Sequence, residues 1–191
     1  MASEKFEIRD CTLKMKGIKL LPFALGIILF FFIPQSSVFA QSKYVLPYPS
    51  VMPGSIFYKF NQVKEQILRY WYFGDFGQFH YNLRQSDKYL VEAKTLFDYK
   101  QYLLGNIALE KSDGYFEDIY PNFVNAKNNG KNTSEKEIMY KEAAKKHIEE
   151  LKKVRNIVSS IFIWTPENES PTTLKLWESV DKSLKIRQKR L

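Results

Sequence analysis

Cysteine occurs once in the chain, at Cys11, and histidine twice, at His80 and His147. Because Cys11 falls in the N-terminal leader described below, the rest of the chain can form no disulfide and has no thiol to act as nucleophile or metal ligand. Glycine is sparse, with eight residues in 191, and no Gly-rich phosphate loop, Gly-x-Ser-x-Gly turn or Cys-x-x-Cys-His haem site is present. His147 and Glu150 stand three apart on one helical face, but two ligands fall short of the usual four, and His80 has no carboxylate at the matching step. The inventory therefore predicts no metal, no cofactor and no enzyme. Apolar and polar residues nowhere alternate at period two, which predicts a chain without sheet.

The chain does have ample apolar material: 45% of its residues are hydrophobic, 16% are aromatic and 26% are charged. Such a composition excludes a mostly disordered chain, and the length suits one domain and a targeting segment. Residues 20–33 form a 14-residue apolar run, broken by Pro22 and Gly26 and preceded by Lys14, Lys16 and Lys19. A basic start, a short apolar centre and the small-residue pattern Val38-Phe39-Ala40 predict a signal peptide over residues 1–40, cut between Ala40 and Gln41. An uncleaved membrane anchor is the alternative, although the run is short of the roughly 20 residues that span a bilayer. Met15 offers a tidier start than Met1. No cysteine follows the run to carry a lipid.

Net charge is +8, and since the leader holds five bases and three acids, +6 remains beyond it. On an exported chain that excess suits an anionic lipid or an acidic wall polymer better than nucleic acid.

Residues 41–54 read as an extended strap, because Pro47, Pro49 and Pro53 each fix φ and push the preceding residue out of the helical region. Ser55 then caps a helix reaching about Phe73, whose Ile56, Phe60, Val63, Ile67 and Tyr70 or Trp71 form one stripe, expected to face the core. Gly74, Asp75 and Gly77 interrupt. A second helix carries Phe76, Phe79, Leu83, Leu90 and Phe97 to about Tyr99. A third, from about Gln101 to Ala126, carries Leu104, Ala108, Tyr115 and Ile119, with Gly105, Gly114 and Pro121 predicting a kink or early stop. After a polar loop, Ser134 and Glu137 read as a capping box opening a fourth helix. That helix turns Ile138, Ala144, Ile148, Leu151, Val158 and Ile161 inward and runs to Trp164. A linker over 165–171 leads to a basic helix over 172–191 with Leu174, Trp177 and Leu184. The fold class expected is all-α: a bundle of about four helices over 55–164 plus a C-terminal helix.

Several of these segments together resemble a known family. Tyr44-Val-Leu-Pro47-Tyr-Pro49, Met52-Pro53-Gly-Ser55, Tyr58-Lys59 and Asp87-Lys88-Tyr-Leu90-Val-Glu92-Ala93 resemble an uncharacterised bacterial extracytoplasmic helical family. Its members carry a Leu-Pro-x-Ser-Pro-x-Tyr strap followed by an Ala-Asp-Lys-Arg-Leu-x-Glu-Ala helix. Gly54, Ile56 and Tyr89 depart from that pattern. The family is catalogued as a domain of unknown function, so the resemblance implies compartment and fold and no catalytic residue.

Two segments are candidates for contact with a partner. One is the aromatic cluster Tyr70 to Phe73 with Phe76, Phe79 and Tyr81, read chiefly as a helix corner in which Trp71 packs inside and Tyr72 is exposed. The other is the C-terminal run of Lys182, Lys185, Arg187, Lys189 and Arg190, which complements the helix dipole and could meet an anionic surface. Asn132-Thr-Ser and Asn168-Glu-Ser match glycosylation triplets, which mean little in a bacterial chain. The function expected is a non-catalytic extracytoplasmic module that binds an envelope protein or anionic polymer. A membrane-tethered sensor or scaffold comes next, and an envelope hydrolase or metal protein last.

Overall fold

The computed structural model describes residues 43–49, 51–167 and 170–191. All of them belong to the compact unit Gln41–Leu191. The leader, with the expected cleavage at Ala40 and Gln41, lies outside the described residues. Among these, five α-helices and one two-stranded sheet form, and no helix is long and apolar enough to cross a membrane.

Helix α1 spans Ile56–Trp71, and the Ser55 hydroxyl accepts from the Phe57 amide at 3.3 Å to satisfy one of its free first-turn donors. Gly74 takes φ +75° between α1 and α2 (Gly74–Asp98), a left-handed conformation that suits glycine. A Cβ at Gly77 would sit 2.8 Å from the Tyr72 carbonyl carbon, so the bare backbone lets α2 begin against the end of α1. Gln78 Nε2 then donates to the Arg69 and Tyr72 carbonyls, filling acceptors that the end of α1 leaves open.

Helix α3 (Tyr102–Asn128) runs back along α2, and it continues through Pro121 instead of stopping there. Helix α4 (Ser134–Ile157) packs on α2. Its start differs from the expected capping box. Ser134 is already the first helical residue, its amide taken by Asn132 Oδ1 at 3.1 Å, and Thr133 stands at the cap. An Asn side chain that hydrogen-bonds two residues ahead builds this turn before a Ser hydroxyl can.

Past Ile157 the helix expected to reach Trp164 gives way to a sheet. Strand β1 (Phe162–Trp164) pairs antiparallel with β2 (Thr172–Leu174), matching Phe162 with Leu174 and Trp164 with Thr172. Ile161-Phe-Ile-Trp is rich in β-branched and aromatic residues, and Pro166 and Pro171 keep helix out of the connection. The linker over 165–171 thus joins two strands, and Leu174 belongs to β2 rather than to the last helix. That helix, α5, begins at Leu176, ends at Gln188, and packs on α4 and α3. Ile161 and Ile138, expected to face inward, are exposed.

The core divides into two apolar layers. One gathers Leu90, Leu96 and Phe97 with Ala108, Leu109, Leu151, Val154, Leu176 and Val180, and the strap residues Leu46 and Met52 pack on its margin. The other gathers Phe79, Leu83, Phe116, Ile119, Tyr140, Ala143 and Ala144, with Tyr44 of the strap against it. Burial of each large side chain contributes roughly 1.5 to 3 kcal/mol.

Helix α1 contributes no buried residue to either layer. The stripe expected to face the core points away from it: Ile56, Phe60, Val63, Ile67, Tyr70 and Trp71 are all exposed, Trp71 at 78%.

Candidate functional site

On α2, α3 and α4, buried polar residues sit along the chain between those contributed to the two apolar layers, Ser86 and Asp87, Ser112 and Asp113, and His147; α5 adds Ser183 and, just past Ile186, Arg187. They form one hydrogen-bonded network. Tyr44 Oη donates to Asp87 Oδ2 at 2.6 Å, and the other carboxylate oxygen, Oδ1, meets His147 Nε2 at 2.7 Å. Arg187 Nε donates to His147 Nδ1 at 3.4 Å. That ring nitrogen therefore carries no proton, and Nε2–H is the donor to Asp87. Arg187 Nη1 pairs with Asp113, Nη2 donates to Ser112 Oγ at 2.9 Å, and Ser183 Oγ donates to Asp113 Oδ2 at 2.7 Å. Ser112 Oγ donates in turn to the Ser86 carbonyl at 2.8 Å.

Burial pushes His147 below its ordinary value near 6.5, outweighing the hydrogen bond to Asp87, so the imidazole is neutral. Burial, with Asp87 beside it, raises the Tyr44 hydroxyl, which stays a donor. The histidine–carboxylate pair resembles a general-base dyad. The hydroxyls of the network, however, are already engaged: Tyr44 with Asp87 itself, Ser112 with Arg187 and Ser86, and Ser183 with Asp113. The chemistry this arrangement supports is cohesion: it ties the strap and four helices at one level.

His147 and Glu150, the spacing weighed for a metal, part company. Glu150 lies in a different cluster, contacted by Lys94, Lys146 and Lys153. Burial alone would raise its pKa, but hydrogen bonds from Lys153, Lys94 and Lys146 bring it to about 2. Among the described residues no group of three or more His, Cys, Asp or Glu could hold a metal ion.

The expected basic surface is smaller than the sequence implied. Lys182, Lys185 and Lys189 are exposed, whereas Arg187 is fully buried and Arg190 lies half-buried over the Tyr120 ring at 4.0 Å. Position 187 is in phase with Val180 and Ser183, so the guanidinium turns inward, where Asp113 compensates its charge. Lys182 and Lys185 border a half-open groove of about 890 Å³ between α3, β2 and α5, which also exposes Glu110, Asp181 and Arg155. With both signs on its walls, the groove selects for neither anions nor cations.

The aromatic corner is reversed relative to expectation. Tyr72 is half-buried, its ring 5.9 Å from Tyr81 and its hydroxyl 3.4 Å from Arg84 Nη1, while Trp71 and Phe73 are exposed. The cause is that α1 turns its polar side to α2. Tyr58 Oη donates to Glu92 at 2.8 Å, Glu65 accepts from Lys88 at 2.5 Å and from Tyr89 at 3.3 Å, and Tyr81 Oη donates to the Glu65 carbonyl at 3.1 Å. Burial raises Glu92 and, with help from Glu92, the Tyr58 hydroxyl. Behind this seam Tyr89 stacks on Tyr115 at 5.7 Å, with the Lys88 ammonium 4.5 Å from the Tyr89 ring.

The central network went unread in sequence, yet its signal was there: in four helices a polar residue falls in phase with the apolar stripe, as in Leu83, Asp87, Leu90 and Val180, Ser183, Arg187. For α1 the apolar stripe itself misled, since periodicity shows which residues share a face and not where that face points.

Residues 50–160 match a family model described as Domain of unknown function (DUF5667). No curated protein and no solved structure matches the chain.

Proposed function

Since the chain belongs to the DUF5667 family, whose domain has no assigned function, we propose from its own surfaces that it is a non-catalytic module that binds a component of the cell envelope. The observation that carries this reading is α1, held to α2 through Tyr58 and Glu65 while its apolar side stays open along the whole helix. Monomeric proteins seldom leave a contiguous apolar patch of that extent without a use for it. Location outside the cytoplasm is part of the proposal and rests on the basic start, the apolar run over 20–33 and the Val38-Phe39-Ala40 pattern. The second reading, a tethered scaffold, keeps that run in place as an anchor.

The test is retention of the compact unit Gln41–Leu191, which lacks the apolar run over 20–33, on isolated envelope material containing both membrane and wall polymer. Ile67→Asp, which puts a charge at the centre of the open stripe, is expected to cut retention by roughly tenfold while the thermal midpoint stays put, since position 67 is exposed. Equal retention of both proteins would overturn the reading.

A further inference from the structure

Taking that binding reading as given, we infer that the open side of α1 is a lipid-interface helix, seated on the surface of an anionic bilayer. Projected at about 100° per residue, Tyr70, Val63, Ile56, Ile67, Phe60 and Trp71 follow one another round an arc of about 100°. Glu65, Tyr58 and Gln62 lie across the helix from it, toward α2. Lys59 and Lys64, both exposed, fall about 20° outside the two edges of the arc. An apolar stripe bordered by lysines on both sides, with Trp71, Tyr70 and the following Phe73 at one end, is how a helix lies in a headgroup layer. Its apolar side chains enter the acyl boundary, lysine stems reach out to phosphates, and aromatic rings sit at the interface. At 16 residues α1 is about 24 Å long, enough to lie on a bilayer and too short to span one.

Charge decides among the possible occupants. The lone acid of α1 is Glu65, and it is taken by Lys88 and Tyr89 on the inner side. A second copy laid face to face would set Lys59 and Lys64 against their own counterparts with no carboxylate on that face to meet them. The apolar run at 20–33 contains no charged residue, so it too would leave both lysines unanswered. Anionic headgroups answer both while the acyl region takes the stripe.

The full chain reconstituted with vesicles provides the test, and Trp71 is the reporter, because residues 20–33 could carry the chain to a membrane unaided. Tryptophan emission is followed in phosphatidylcholine vesicles with brominated acyl chains, with and without phosphatidylglycerol. Quenching is expected with phosphatidylglycerol and is expected to vanish in Trp71→Phe, although Trp164 and Trp177 remain. Lys59→Gln and Lys64→Gln should each raise the phosphatidylglycerol required by about fivefold. Ile67→Glu should abolish quenching at unchanged helicity. The inference falls if quenching survives Trp71→Phe, if it is equal without phosphatidylglycerol, or if Trp71 stays unquenched while sedimentation shows a dimer. If the lipid test fails yet Ile67→Asp still releases the chain from envelope material, the binding reading stands and its ligand is another envelope component; if both fail, both readings fall.

Discussion

Arg187 shows how far one residue's role can depart from its apparent class. In sequence it is one base among five near the C-terminus, and in the folded chain it is fully buried, bonded to Asp113, Ser112, the Ser183 carbonyl and His147. Burial lowers its pKa even with Asp113 alongside, and the Phe116 ring lies 5.0 Å from the guanidinium. Removing one member of such a pair leaves the other as an uncompensated charge. Arg187→Ala is therefore expected to cost about 3 to 5 kcal/mol, read as a fall in the denaturant midpoint. Lys185→Ala, an exposed change two residues away, should stay within about 0.5 kcal/mol.

Helix α1 shows what periodicity conveys at the scale of an element. The bounds and N-cap of the helix were legible from Pro53, Ser55 and the spacing of Ile56, Phe60, Val63 and Ile67. The direction of the stripe was not, because it depends on Tyr58 and Glu65 finding Glu92, Lys88 and Tyr89 on another helix, contacts that no local pattern encodes. The same limit explains the missed sheet: three residues per strand is too short a run for alternation to stand out. The reversal at the α1 end has a direct check. Trp71→Ala should change stability by under about 0.5 kcal/mol, and Tyr72→Ala, half-buried against Tyr81, should cost about 1 to 2 kcal/mol by denaturant midpoint.

At the scale of the whole molecule, the helical architecture was readable because α2, α3 and α4 carry long amphipathic patterns, while the polar level that joins them exists only once the helices meet. It leaves a signature in pH. His147 has a folded pKa below its ordinary 6.5, so below that pH the unfolded chain takes up a proton that the native chain refuses. Stability is thus full above about pH 6.5 and declines as pH falls, by up to about 1.4 kcal/mol per pH unit. Thermal midpoints should drop between about pH 7 and pH 5, and His147→Gln should flatten that slope even if it lowers every midpoint. The network also governs alignment. A bundle closed only by leucine and alanine faces can slide one helix past another by a turn and bury nearly the same area. Here a one-turn slip displaces a side chain by about 5.4 Å, beyond the reach of a hydrogen bond, leaving Arg187 without Asp113 and Asp87 without His147 between layers of hydrocarbon. The buried polar residues act as a vernier: they admit a single setting of the four helices along their lengths.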